Sequence, residues 1–165
     1  MAVEIELNPV GFITIGTIGP KGKRVFHLQA GKGTKIVSLI IEKEQAWALS
    51  EAINELVDDL DRRYPVPEDD SSASENEPLD MDLREPIEPL FRVAQMGLGY
   101  DEEQDKVVLL AQELMISQDE DTKPGVIRFW CSRQQMRALS EQAMLAVKAG
   151  RADPKQNGRL VYYWT

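Results

Sequence analysis

Histidine and cysteine are the side chains that could carry out nucleophilic chemistry, and the chain has one of each, His27 and Cys131. Catalysis would need Cys131 or a serine beside His27, because no other imidazole is present to act as the base. His27 lies between Phe26 and Leu28 in an apolar, strand-like segment, and no Gly-x-Ser-x-Gly or similar motif surrounds a serine. The sequence therefore favours a protein that is not an enzyme.

A metal centre has little support in the sequence. Structural zinc sites are usually built from four Cys and His ligands, and this chain has one of each. Asp101, Glu102, Glu103 and Asp105 could bind a hard cation through oxygen, but they lack the spacing and the glycine of a calcium loop. A solvated turn between two strands is the better interpretation. We expect neither a metal nor another cofactor.

Basic residues in two glycine-containing turns are the candidates for binding a phosphate or a nucleotide. They are Lys21, Lys23, Arg24, Lys32 and Lys35. The two turns should lie at opposite ends of one strand, so solvated hairpin lysines are the simpler interpretation, and nucleic acid is not an expected partner. If a small ligand does bind, we expect its site between the two halves of the chain, where the strands of Gln29 and Glu113 would face each other.

Aromatic side chains are the candidates for a protein interface. Trp47 falls outside the apolar stripe of the first predicted helix, and three further aromatic residues, Tyr162, Tyr163 and Trp164, lie together near the C-terminal end. Large aromatic side chains often anchor interfaces, although each of these could equally cover an edge of the core.

An internal repeat determines where these residues are placed. The strand and helix predicted for residues 35–63 recur ninety residues later. Five residues of the helix are identical in the two copies, and they have the same spacing in both. Gln45-x-x-Ala48-Leu49-Ser50-Glu51 corresponds to Gln135-x-x-Ala138-Leu139-Ser140-Glu141. A repeat at a fixed offset indicates a duplicated structural unit.

Both predicted helices carry one apolar stripe, with spacings of three and four residues. The stripe of the first helix, residues 43–63, is Ala46, Leu49, Ile53, Leu56, Val57 and Leu60. The second helix begins with a Ser132-x-x-Gln135 capping box, and its stripe is Met136, Leu139, Ala143, Ala146 and Val147. Ser50 is assigned to the polar side of the first helix. Each stripe needs a sheet to cover it.

The predicted fold is therefore an α+β protein in which two pseudo-symmetric β-meander-plus-helix repeats share an antiparallel sheet, with the helices packed on it. We expect the first repeat over residues 1–63 and the second over residues 90–150. Residues 64–89 read as an acidic linker rich in Pro and Ser, and residues 151–165 as a tail with a short strand.

The acidity of the chain belongs mostly to the predicted linker. The net charge is −9, and residues 64–89 alone hold nine acids and one base. No apolar run approaches the ~20 residues that a membrane helix needs, and the N-terminal residues do not resemble a signal peptide. One cysteine fits a reducing compartment. These features predict a cytoplasmic protein without a membrane partner.

Several segments resemble an uncharacterised bacterial family, domain of unknown function 3090. The similar segments are Phe26-x-Leu28-Gln29-Ala30, Glu42-Lys43-x-Gln45, Phe91-Arg92-Val93-x-x-Met96-x-Leu98 and Ser132-x-x-Gln135-x-x-x-Leu139. These are scaffold-type motifs, so the resemblance implies no activity. Members of that family usually continue into a cysteine-rich, zinc-ribbon-like end, whereas residues 151–158 here contain neither Cys nor His.

The function that the sequence favours is a non-catalytic interaction or assembly module whose partner is another protein or a second copy of the chain. The alternative is a nucleotide- or phosphate-binding protein, or an enzyme, with its site between the two repeats. A concave polar pocket between the halves would favour the alternative. A filled apolar seam, with Trp47 or the aromatic residues of the tail exposed, would favour the interaction module.

Overall fold

Alternating apolar residues form a seven-stranded sheet that packs against two helices. The computed structural model of the chain describes residues 3–20, 22–65, 79–115 and 122–149. In these ranges the elements are β1 (Glu4–Leu7), β2 (Phe12–Ile18), β3 (Val25–Lys32), β4 (Lys35–Ile41), α1 (Lys43–Arg63), β5 (Pro89–Asp101), β6 (Lys106–Glu113), β7 (Val126–Cys131) and α2 (Arg133–Ala149). The predicted α+β class is confirmed. No helix in the described ranges is both long and apolar enough to cross a membrane.

The sheet is mixed, so the prediction of a purely antiparallel sheet is wrong. Its strand order is β1-β7-β6-β5-β4-β3-β2. The consecutive strand pairs β2–β3, β3–β4, β5–β6 and β6–β7 are antiparallel. The β1–β7 and β4–β5 pairs are parallel. Each of them joins the first strand of one half to the last strand of the other half.

The strands at the two ends of the order, β1 and β2, are consecutive in the chain, so residues 8–11 connect the two ends of the sheet. The Val10 N–H donates to the Trp130 carbonyl over 2.9 Å, which ties this residue to the end of β7. The next residue turns to the opposite end of the sheet, where the Gly11 N–H donates to the Gly31 carbonyl of β3 over 2.6 Å. The sheet therefore curves until residues 10 and 11 join its ends.

The core lies between the two helices and the apolar side of the sheet. Every residue of the predicted α2 stripe is buried, and so is the α1 stripe apart from Leu56, which is half-buried against the core. The capping box of α2 is also confirmed, with the Gln135 N–H donating to Ser132 Oγ over 3.0 Å and the Ser132 N–H donating to Gln135 Oε1 over 2.9 Å. The amphipathic pattern thus identified both helices correctly.

Ser50 corrects the sequence prediction, because it is buried at the contact between the helices rather than on the polar side. The Ser50 hydroxyl donates to the Ser140 carbonyl over 2.9 Å, and the Ser140 hydroxyl donates to the Ser50 carbonyl over 3.0 Å. A small side chain lets two helices approach closely, and these reciprocal bonds satisfy both hydroxyls away from water.

Candidate functional site

The basic residues predicted to bind phosphate do not form one cradle. The two turns that carry them lie at opposite ends of β3, which pairs antiparallel with both β2 and β4. Arg24 Nη1 donates to the Ala149 carbonyl over 2.7 Å, and Lys32 Nζ donates to the Asn8 carbonyl over 2.6 Å. Lys21 lies outside the described residues. The remaining two are exposed and lie apart, Lys23 in the turn before β3 and Lys35 at the start of β4.

A polar depression at the start of α1 is the nearest feature to the predicted phosphate site. It has a volume of about 400 Å³ and contains Arg24, Lys43 and Arg92. Glu42 and Glu44 line the same depression, and Arg92 pairs with Glu42. The two carboxylates offset two of the three positive charges, so this depression has only a weak preference for an anion.

Gln29 is buried under another segment of the chain rather than facing a ligand. Its neighbours Leu28 and Ala30 point into the core, so Gln29 lies on the opposite face of the sheet. Its Nε2 donates to the Arg84 carbonyl over 2.7 Å and to Ser38 Oγ over 3.0 Å. Its Oε1 accepts the Arg84 N–H, also over 2.7 Å. Gln29 therefore binds both backbone groups of one residue.

The segment that contacts Gln29 is residues 79–88, here called the strap. Thr14 Oγ1 donates to the Met81 carbonyl over 2.6 Å. The Arg84 guanidinium lies over the Phe12 ring, 3.8 Å from its centroid. The linker predicted for residues 64–89 did not anticipate these contacts, because the strap packs on the face of β2 and β3.

Glu113 lies far from Gln29 in the strand order. Its Oε1 accepts the Gly125 N–H over 2.9 Å, at the end of β6, and both β4 and β5 separate β6 from β3. The structure therefore places Gln29 against Arg84 and Glu113 against Gly125, and it does not bring the two side chains together at one site.

His27 and Cys131 are both buried, at 5% and 0% exposure. The ring Nδ1 of His27 lies 3.1 Å from the Val25 carbonyl oxygen. Burial raises the pKa of the Cys131 thiol well above its ordinary value, so the reactive thiolate is suppressed. The acidic residues 101–105 form a turn in which Asp101 Oδ1 accepts the Gln104 N–H over 3.0 Å.

The buried thiol gives a direct chemical prediction. In the native protein at pH 8, Cys131 should react with Ellman's reagent at least tenfold more slowly than in about 6 M guanidinium chloride, because burial removes both access and thiolate character. Absorbance at 412 nm measures the rate. A native rate equal to that of the unfolded chain would show that Cys131 is accessible.

Strand β5 has a free edge over most of its length. On one side β6 pairs with β5 from Val93 to Asp101. On the other side β4 pairs only with Pro89 and Arg92, since the chain leaves the sheet after Ile41 to form α1. Within residues 3–20, 22–65, 79–115 and 122–149, no strand pairs with this second edge beyond Arg92.

A groove separates the free edge of β5 from α1 and has a volume of about 320 Å³. Its walls carry no formal charge, and they consist of Gln45, Ala48, Leu49 and Ala52 from α1 and of Ala94, Gln95, Met96, Gly97 and Leu98 from β5. Five consecutive strand residues line it, as expected at an edge, because only alternate residues would line a sheet face. The groove lies between the two predicted halves, since α1 belongs to the first and β5 to the second. Its lining is mostly apolar.

Gln45 marks the closed end of the groove. Its Nε2 donates to the Val93 and Ala94 carbonyls over 3.1 and 3.3 Å, at the point where β4 leaves the side of β5. At the other end a shallower depression continues the groove past Ala52 and Leu98 to Glu55. The groove is thus a channel along the strand. Its open end is lined by Glu55 and by Asp59 and Arg62, which pair with each other and leave the Glu55 carboxylate as the net charge there.

The arrangement can bind an extended chain. The backbone N–H and C=O groups of a free strand edge form a sheet with an incoming strand, and an adjoining apolar groove accepts its side chains. Protein edges are usually protected by Lys, Pro or an inward charge, yet residues 93–100 contain neither a charged residue nor a proline. Sequence reasoning missed this site, although the uncharged run was a visible signal.

The aromatic candidates lie elsewhere. Trp47 is 40% exposed, and it borders a separate depression with Lys43, Glu44 and Val147. Its Nε1 donates to the Glu51 carboxylate on the next turn of α1. The other three candidates, Tyr162, Tyr163 and Trp164, lie outside the described residues.

Comparison with known proteins gives one family. Residues 5–157 match the family described as "Protein of unknown function (DUF3090)". No curated protein and no solved structure matches the chain.

Proposed function

Because the chain belongs to the DUF3090 family, whose description assigns no activity, we propose a function from the geometry of the groove: a non-catalytic interaction module that binds an extended segment of another protein. The observation that carries this proposal is the free, uncharged edge of β5 beside an apolar groove. Main-chain bonds to such an edge supply affinity with little sequence preference, and the side chains in the groove supply specificity.

The lining of the groove determines the chemistry of the partner. Uncharged walls favour small or apolar side chains at alternate positions of the bound segment, because a buried charge would lack a partner there. Glu55 near the open end favours a basic residue at the corresponding end of that segment. The proposed ligand is therefore an uncharged, extended stretch of another protein, flanked by Lys or Arg.

The internal repeat supports this assignment by comparison of the two halves. We propose that residues 1–63 and 90–150 are duplicated units, because Gln45 and Gln135 both donate to carbonyls of the other half, those of Val93 and Val10. Helix α2 of the second half packs along β2 of the first half, whereas the groove separates α1 of the first half from β5 of the second half. In the part of the chain that the structure describes, the groove has no equivalent between α2 and β2, so we assign the specific function to it.

A peptide-display selection against the full chain tests the proposal. We expect the enriched peptides to be uncharged, extended sequences with a flanking base, and Ala52→Glu to weaken their binding by about tenfold or more, because it places a carboxylate against apolar side chains. Asn54→Glu is the matched control. It makes the same charge change on the exposed side of the same helix, outside the groove, and should leave the affinity unchanged.

Hydrogen exchange locates the bound peptide. Binding should slow the exchange of backbone amides within residues 94–100, since the new strand would pair with that edge. Peptides that bind Ala52→Glu as well as the unaltered protein, or that leave these amides unprotected, would contradict the proposal. A selection that enriches no peptide at all would contradict it as well.

A further inference from the structure

The strap is held by a row of buried polar side chains rather than by an apolar patch. Thr14, Gln29 and Ser38 lie directly opposite one another on β2, β3 and β4. Their exposures are 0%, 0% and 2%. A face that only needs to be covered is better served by apolar residues, because each buried polar group costs free energy unless it finds a partner.

The partners of this polar row are mostly backbone groups of the strap. Gln29 binds the N–H and the carbonyl of Arg84, and Thr14 binds the carbonyl of Met81. Ser38 completes the row by accepting a second bond from Gln29 Nε2. A side-chain amide that binds both backbone groups of one residue holds that residue in an extended orientation whatever its side chain.

Two side chains of the strap add specificity. Leu83 rests on Gly16, where an added Cβ would lie only 2.7 Å from Leu83 Cγ, so the glycine leaves room for the leucine. The Arg84 guanidinium stacks on Phe12 while its side chain stays 44% exposed, which keeps the charge hydrated. The face therefore distinguishes a Leu-Arg pair as well as an extended backbone.

We infer that this face of β2, β3 and β4 is a recognition site for an extended Leu-Arg segment, and that the strap is its intramolecular occupant. A Leu-Arg segment of a partner protein then binds the same face by displacing the strap. This site is separate from the groove along β5, because it uses the opposite half of the sheet and different residues.

Tethering determines how the two ligands compete. The strap follows α1 in the same chain, and a tethered ligand acts at an effective concentration that reaches the millimolar range for short linkers. A free peptide with the same contacts must overcome that concentration. The unaltered protein should consequently bind a free Leu-Arg peptide weakly, and a protein with a weakened strap should bind it better.

The test uses a fluorescently labelled peptide of residues 79–88 and the full chain carrying Leu83→Ser and Arg84→Ser together. Fluorescence anisotropy should give at least about tenfold tighter binding to this double variant than to the unaltered protein, because its own strap competes poorly. Adding Gln29→Leu to the double variant should abolish the gain.

A modified peptide tests the backbone contact specifically. Methylation of the peptide nitrogen at the Arg84 position removes the N–H that Gln29 Oε1 accepts, and it should weaken binding to the double variant by about tenfold. A peptide with the same composition in scrambled order controls for charge. Circular dichroism of the double variant should retain both helices.

Three results would overturn the inference. The first is equal affinity of the labelled peptide for the unaltered and the double-variant proteins. The second is equal binding of the methylated and unmethylated peptides. The third is an unfolded double variant, because a displaceable strap requires the rest of the chain to fold without its side-chain contacts.

Discussion

Leu139→Ala is expected to lower the free energy of unfolding by about 2–4 kcal/mol. Leu139 is fully buried on α2, within the cluster that joins both helices to the sheet. Truncation removes apolar contacts and leaves a cavity that the neighbouring helix and strands can fill only in part. Its repeat counterpart Leu49 is 5% exposed, and Leu49→Ala should give a loss of similar size.

Urea unfolding followed by circular dichroism at 222 nm measures this difference, provided that the variants share one m-value. Leu145→Ala is the matched control, because it removes the same atoms from the same helix at a position that is 61% exposed. Its effect should stay within about 0.5 kcal/mol. Equal stability of Leu139→Ala and Leu145→Ala would refute the assignment of the buried stripe.

The helices were predictable because their signals are local. Apolar spacings of three and four residues place Leu49 and Leu139 on buried faces, and the Ser132–Gln135 box marks the start of α2 within four residues of sequence. Residues 43–63, predicted as the first helix, coincide with the observed α1. Each of these signals depends on neighbours along the chain.

Strand pairing was predictable only within hairpins. The β2–β3 and β3–β4 turns bring consecutive strands together, whereas the parallel β1–β7 pair joins residues about 120 positions apart. Alternation along β1 specifies which residues are buried but not which strand lies beside it. Local sequence patterns therefore could not predict the mixed sheet or the contacts of residues 10 and 11 with its two ends.

Ser50 and the strap show why composition misleads at particular positions. Serine is usually exposed, but Ser50 is buried because Ser140 lies opposite it on another helix. The strap is acidic and contains a proline, Pro86, and both features are typical of a linker, yet Leu83 and Arg84 contact specific partners on β2 and β3. These partners lie more than fifty residues away in sequence.

The groove was missed for a related reason. A free edge is a property of the strand order, and nothing within residues 93–100 reveals that β4 leaves the side of β5 after Arg92. The sequence does show that this run lacks charge. Lack of charge alone is typical of a strand paired on both sides as well, so the topology was needed to distinguish the two cases.

Gly31→Ala is expected to lower the free energy of unfolding by about 1–3 kcal/mol, as an overpacked position does. An added Cβ would lie 2.5 Å from Phe12 Cε1 and 2.7 Å from the Lys35 carbonyl oxygen. The ring can rotate or shift, but the carbonyl belongs to the paired backbone of β4. The Gly31 carbonyl also accepts the Gly11 N–H where the ends of the sheet meet, so the strain acts on the closure itself.

Gly99→Ala provides the control, because a Cβ at this strand position meets no atom within 4 Å. This substitution should be neutral or should stabilise the protein by up to about 1 kcal/mol, since alanine has less backbone freedom to lose on folding. Urea unfolding of the two variants under identical conditions measures their free energies of unfolding. Both variants lose the backbone freedom of glycine, so the difference between them reports the steric crowding at residue 31. If Gly31→Ala matched Gly99→Ala in stability, the Phe12 ring and the Lys35 carbonyl would not lie as close to Gly31 as the structure places them.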